Sequence, residues 1–156
     1  QNYQLTPEIE LRTLETNGTG FVRMVTAAFR YFAQQKGGHL AVISSIAGTK
    51  GLGAAPAYSA TKRFQNTYID ALEQLAHIQK LPIRFTDIRP GFVATGLLND
   101  GKHYPMLMHT EKVARHIVRA LEKKKRIVVI DWRYRILVAL WRLIPPFLWK
   151  RMTVRN

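Results

Sequence analysis

The chain has 156 residues, 47% of them hydrophobic and 10% aromatic, which suits one globular domain with its own core and excludes a disordered tail or a collagen-like rod. Without cysteine there is no disulfide framework, thiolate nucleophile or thiolate metal site, and a reducing, cytoplasmic setting is compatible. A formal net charge of +14 points to a phosphate-bearing partner, whether a nucleotide cofactor, an anionic lipid or nucleic acid.

The opening "QNYQLTPEIELR" has neither the basic region nor the apolar stretch of a signal peptide, and it lacks an initiator Met, as expected of a processed or truncated chain. Thr6 as N-cap, Pro7 in the first turn and the acids Glu8 and Glu10 predict a helix start. Leu11, Leu14, Phe21, Val22, Val25, Phe29 and Phe32 continue it at helical spacing until Gly37 and Gly38 stop it. Gly18 and Gly20 interrupt this helix and imply close packing or a local irregularity.

"HLAVIS" is a short apolar run of the kind buried on both faces of a parallel sheet. After the glycine-rich "SSIAGTKGLGAAPAYSATK", an Ala-rich helix is predicted from Pro56 to about Ile78, with Tyr58, Phe64, Tyr68, Leu72 and Leu75 at helical spacing. "LPIRFTDIRPG" returns to strand composition before turning at Pro90 and Gly91, which completes a βαβ unit. Residues 96–109 have no clean period and read as a loop or short helix, with the "MLM" of 106–108 as pocket or packing material. A helix from Thr110 to Lys123 and a strand at "RIVVID" follow. No internal repeat is present.

The glycine-rich stretch raises the question of where the chemistry lies. Gly48, Gly51 and Gly53 give GxxGxG, not the GxGxxG of a dinucleotide cradle, and Asp70 falls inside a predicted helix where a ribose-binding acid would end a strand. No Walker sequence is present. The polar residues around the glycines offer a better fit. Ser45 and the segment Arg89 to Gly91 end two strands, on the rim where open α/β sheets bind ligands. Tyr58 and Lys62 are four apart on the connecting helix, hence on one face. An ammonium beside a phenol favours the phenolate and makes tyrosine a usable acid/base, while a serine hydroxyl across the pocket can hydrogen-bond a carbonyl oxygen. The five histidines, at 39, 77, 103, 109 and 116, show no metal-ligand spacing, so no metal is expected.

With Ser45 thirteen residues before Tyr58 and Lys62 four after it, the stretch resembles the Ser, Tyr-x-x-x-Lys signature of the short-chain dehydrogenase/reductase family. "TNGTG" is similar to that family's Asn-x-x-Gly segment, and "RPGFVAT" to its Pro-Gly-x-Val-x-Thr. The resemblance implies a Rossmann-like, doubly wound parallel α/β sheet and hydride transfer between NAD or NADP and a small alcohol or carbonyl substrate. It implies Tyr58 as general acid/base, Lys62 lowering its pKa and binding the nicotinamide ribose, and Ser45 orienting the substrate oxygen. Asn17 becomes the fourth catalytic residue, holding a water that links Lys62 to solvent. Pro90, Gly91, Val93 and Thr95 are implied to hold the nicotinamide carboxamide, and a homodimer or homotetramer is implied by the family's paired long helices. The family's Thr-Gly-x-x-x-Gly-x-Gly loop and Asn-Asn-Ala-Gly segment are not in this sequence, so residues 1–131 are expected to be the catalytic half of the domain, inactive alone.

Residues 132–156 form a basic, Trp-rich tail. From Lys123 to Asn156 the chain holds ten Lys or Arg and one acid, Asp131. Arg142, Pro145 and Pro146 break its apolar run well short of the roughly 20 residues of a spanning helix. Arg135 and Arg142 share a face, Leu137, Leu140, Trp141 and Ile144 cover the rest, and Trp132 and Trp149 lie near the two ends. That mixture fits a helix lying on an anionic membrane, or one packed on the body or a partner subunit. The rival to an enzyme is a non-catalytic basic module that binds anionic membrane or nucleic acid through this tail, although no nucleic-acid motif is recognised in it.

Overall fold

The computed structural model describes residues 3–94, 106–152 and 154. Three parallel strands, β1 (Gly38–Ile43), β2 (Ile83–Arg89) and β3 (Ile127–Val129), stand in the order β1-β2-β3. Gly38 aligns with Ile83 and Ile43 with Ile88, and β3 begins opposite Asp87. The strand read from "RIVVID" is therefore only three residues long.

Side chains alternate across a strand, and β2 sorts its residues accordingly. Ile83 and Phe85 join Leu40 and Val42 of β1 in one core, packed under α2 (Phe21–Gln34) and α3 (Pro56–Ile78) with Val25, Phe29, Ile69 and Leu72. Ile88 points to the opposite face and joins Val113 of α4 (Thr110–Glu122), Ile130, and Tyr134 and Val138 of α5 (Trp132–Leu143). With helices on both faces, this is the doubly wound arrangement. A short α6 (Pro146–Trp149) is the last helix among the described residues.

The single long helix expected from Pro7 to Gly37 is interrupted. α1 (Pro7–Leu14) and α2 are joined by a π-helical turn over Glu15–Gly20. The two glycines fall inside this wider turn, a feature that favours functional sites. Within "MLM", Met108 is core: it is buried and pairs with Val93 in a parallel bridge.

Candidate active site

Ser45 leaves the end of β1 and caps a 3-10 turn (Ile46–Thr49), its Oγ accepting from the Ala47 amide at 3.1 Å. Its own hydroxyl proton is left to donate elsewhere. Gly48 lets this turn lie directly on α3. A Cβ there would stand 2.6 Å from Asn66 Oδ1 and 2.9 Å from the Lys62 carbonyl carbon and oxygen, closer than real atoms approach. The opening of α3 is fixed from two sides. The Ala57 amide donates to Glu10 Oε2 at 2.8 Å, a carboxylate at a helix N-terminus, and Ser59 Oγ donates to the Pro56 carbonyl while accepting from the Leu52 amide. Tyr58 emerges from that turn at 40% exposure.

The Lys62 ammonium sits 5.7 Å from the Tyr58 ring centroid. It donates to the Ile43 carbonyl at 3.3 Å and to Gln65 Oε1 at 3.2 Å. Burial pushes its pKa below the ordinary lysine value, and the charge of Asp87 opposes that shift. Gln65, buried, turns its Nε2 to the Asn17 carbonyl at 2.8 Å. The Asn17 side chain donates instead to Thr61 Oγ1 at 3.2 Å, and that hydroxyl donates to the Tyr58 carbonyl. Asn17 is thus connected to Lys62 through the amide of Gln65, a residue the sequence reading did not single out. Its only signal was a polar residue three places after Lys62 on the helix.

Beneath the rim lies a buried polar hub that spacing also did not reveal. Asp87 is fully buried. It accepts from Ser44 Oγ at Oδ1, and at Oδ2 from Asn66 Nδ2 at 2.9 Å and Arg89 Nε at 2.8 Å, with Arg89 Nη2 at 2.6 Å. Asn66 Nδ2 also reaches Ser44 Oγ at 2.9 Å. The hub joins the ends of β1 and β2 to α3 one turn after Lys62, and its ion pair carries the additional hydrogen bonds a buried pair needs.

Pro90 accepts the Ile46 amide at 3.2 Å, which closes the two strand tips against each other. The space over Gly91 is filled by Tyr134 of α5: a Cβ there would fall 2.2 Å from Tyr134 Cζ. Tyr134 Oη accepts from the Phe92 amide at 3.0 Å and donates to the Met106 carbonyl at 3.2 Å, while burial raises its pKa. Ala94 donates to the Met108 carbonyl and Met108 to the Phe92 carbonyl, which turns the N–H and C=O of Val93 itself to the opposite side. Thr95 lies outside the described residues. The structure thus gathers Asn17, Ser45, Tyr58, Lys62, Pro90, Gly91 and Val93 around the carboxyl ends of β1 and β2. A groove of about 610 Å³ on the glycine loop is lined by Gly48, Leu52, Ser59 and Arg63 among others, and its lining does not include Ser45, Tyr58 or Lys62.

Residues 2–104 match the family model described as short chain dehydrogenase. The chain belongs to the short-chain dehydrogenase family. A dehydrogenase/reductase SDR family member 7B of Bos taurus is 32% identical over 94% of this chain and 48% of its own length. An uncharacterized oxidoreductase of Myxococcus xanthus is 29% identical over 85% of this chain and 52% of its own. The chain thus spans about half the length of these curated relatives. Among solved structures, a short chain dehydrogenase from Burkholderia cenocepacia in complex with NADP superposes with a TM-score of 0.77 at 19% identity, covering 97% of this chain and 62% of that one. One from Sphingobium yanoikuyae in complex with NADPH gives 0.73 at 19% identity, over 92% and 60%. The Rossmann fold of the family is therefore the fold of this chain. Family membership lends no support to a non-catalytic basic module. Among the described residues no helix is long and apolar enough to cross a membrane.

Proposed function

We propose that this short-chain dehydrogenase chain is the catalytic half of a nicotinamide-dependent oxidoreductase that interconverts an alcohol and a carbonyl compound. The observation that carries the reading is the Tyr58–Lys62 pair, one helical turn apart, on a helix that Gly48 holds against the turn bearing Ser45. The residues present fit the nicotinamide end of NAD or NADP. Lys62 offers an ammonium at the rim, and Val93 offers a backbone donor and acceptor of the kind a carboxamide needs. The glycine loop for a pyrophosphate is not in this sequence, so those contacts belong to the other half of the complete enzyme.

When bound, the nicotinamide supplies or accepts the hydride. In the reducing direction Tyr58 delivers its phenolic proton to the substrate oxygen, to which Ser45 donates a hydrogen bond, and in the oxidising direction Tyr58 takes that proton back. The Lys62 ammonium stabilises the charge left on the phenol oxygen, and Gln65 fixes the ammonium by bridging it to Asn17. Exposed apolar residues on the paired helices, Leu11, Leu14, Met24 and Phe64, suit the interface of a homodimer or homotetramer.

Replacing Tyr58 with Phe in the complete enzyme should lower turnover by about a hundredfold or more, the scale of a lost acid/base, and leave the circular dichroism unchanged. A variant that keeps the parent rate would overturn the assignment. Titrating the 156-residue chain with a reduced nicotinamide cofactor, followed by its fluorescence, should show weak binding or none. Tight stoichiometric binding would refute the half-site reading.

A further inference from the structure

Amphipathic surface helices turn their apolar side inward, but α5 is apolar on both sides. Tyr134 and Val138 fill the core, while Trp132, Ile136, Leu140 and Leu143 line the opposite face at 67%, 52%, 55% and 78% exposure. The stripe continues past the Pro145–Pro146 bend with Phe147, Leu148 and Met152, all exposed. Isolated exposed apolar residues need no explanation, whereas a contiguous stripe marks an interaction surface. This one is tied to the glycine loop. Trp149 Nε1 donates to the Gly51 carbonyl at 2.7 Å, and Lys50 Nζ donates to the Ile144 carbonyl at 2.8 Å while lying over the Trp149 ring.

The surroundings of the stripe are cationic. Between α4, β3 and the first turn of α5 lies a groove of about 490 Å³ bordered by Trp132 and lined by Lys112, His116, Arg119, Lys123 and Arg135. Residues 110–152 hold twelve Lys or Arg against three acids, and one of those acids, Asp131, is bound to Arg133. A second copy docked across a two-fold axis would bring these cations against themselves, because such an interface uses the same patch on both subunits. A phosphate-bearing bilayer surface reverses that sign. At twelve residues α5 is about 18 Å long, suited to lying in the interface plane.

We infer that the outward face of α5 and α6 docks on an anionic lipid surface, with the cationic groove of α4 and β3 taking phosphate headgroups beside it. The surface is distinct from the redox site and is tied to its glycine loop through Lys50 and Trp149.

The test is sedimentation of the full chain with vesicles of phosphatidylcholine alone and with about a third phosphatidylserine, at roughly 0.1 M salt. The anionic vesicles should bind about tenfold or more tightly, and Arg119→Glu with Lys123→Glu should abolish the difference, since each basic residue near the surface contributes about fivefold. Ile136→Glu with Leu140→Glu, both exposed and so harmless to folding by circular dichroism, should bring anionic vesicles down to the neutral level. Should that variant misfold, quenching of the wild-type tryptophans by brominated lipid decides the matter, with no quenching counting against docking. Equal binding by wild type and the Ile136/Leu140 variant overturns the inference. So does a dimer that this variant turns into monomer while vesicle binding is unaltered, a result that gives the face to a second copy.

Discussion

On the α3 face of the sheet, the tips of β1 and β2 are held by a carboxylate, a guanidinium, an amide and a hydroxyl that satisfy one another. On the α5 face, the same β2 tip is held by a tyrosine ring lying on a glycine. The first device depends on chemical identity and the second on volume. Charges that are buried and bonded fail when one member is lost, because the remaining partners stay buried and unpaired. A packed ring fails by degrees, as neighbours give way. The helix α3, which carries Tyr58 and Lys62, therefore rests on the less forgiving of the two supports.

The largest effect should come from breaking that first support. Asp87→Ala leaves the buried Arg89 guanidinium without its carboxylate and Asn66 with Ser44 Oγ alone, and should cost about 3–5 kcal/mol by urea unfolding. Asp87→Asn keeps the shape and removes the charge. Since the Asp87 carboxylate raises the pKa of Lys62 against the effect of burial, its removal lets that pKa fall further. The alkaline limb of the complete enzyme's pH–rate profile should then move to lower pH. A limb that stays in place would mean that Asp87 acts on the fold alone.

The second support should give a smaller loss. Gly91→Ala drives a methyl into the Tyr134 ring and should cost about 1–3 kcal/mol, the range of overpacking. If the ring is what the methyl meets, Gly91→Ala and Tyr134→Leu must be non-additive, because the smaller side chain frees the space. Additivity within about 0.5 kcal/mol would separate Gly91 from Tyr134 and erase the contrast between the two faces.

The two supports also differ in how far they could be read from the chain. The strands follow from short apolar runs beside Gly and Pro, and α3 and the Tyr58–Lys62 pair from a helical period, all of them local, although β1 turns Ala41 and Ile43 outward where its run reads as buried on both faces. Gly18 and Gly20 flagged the irregularity that became a π-helical turn. Gln65 and Asp87 gave no such signal. A polar residue on a helix or near a strand end looks solvated until its partner is known, and theirs lie 48 residues away at Asn17 and 43 away at Ser44. In the tail the periodicity itself is degenerate, because apolar residues occur on every side of α5. Composition could not decide that Tyr134 and Val138 go inward while Leu140 goes out. In the structure the Tyr134 ring takes the space over Gly91, a contact between residues 43 apart that no local pattern announces.

The smallest effect concerns the joint between the α5 support and the rest of the chain. Asp131 enters α5 in the left-handed region, with φ 73°. It accepts the Arg133 amide at 3.0 Å as an N-cap and pairs with the Arg133 guanidinium at 2.8 Å. The side-chain bond from Arg133 holds its carboxyl from the ordinary 3.8 down to about 2, against the opposing effect of burial. A carboxyl whose pKa is depressed by folding lends stability that is complete above its unfolded value and is lost as the pH falls through the folded one. Asp131→Ala should therefore cost about 1 kcal/mol at neutral pH, the worth of a cap. The gap between variant and wild type should close as unfolding is measured from pH 5 toward pH 2. Asp131→Gly should cost less than Asp131→Ala, because glycine adopts the positive φ without strain and is itself a fair N-cap. A gap between Asp131→Ala and wild type that does not narrow with acid would mean that the carboxylate contributes nothing at this joint, and that α5 is seated by the Tyr134 ring alone.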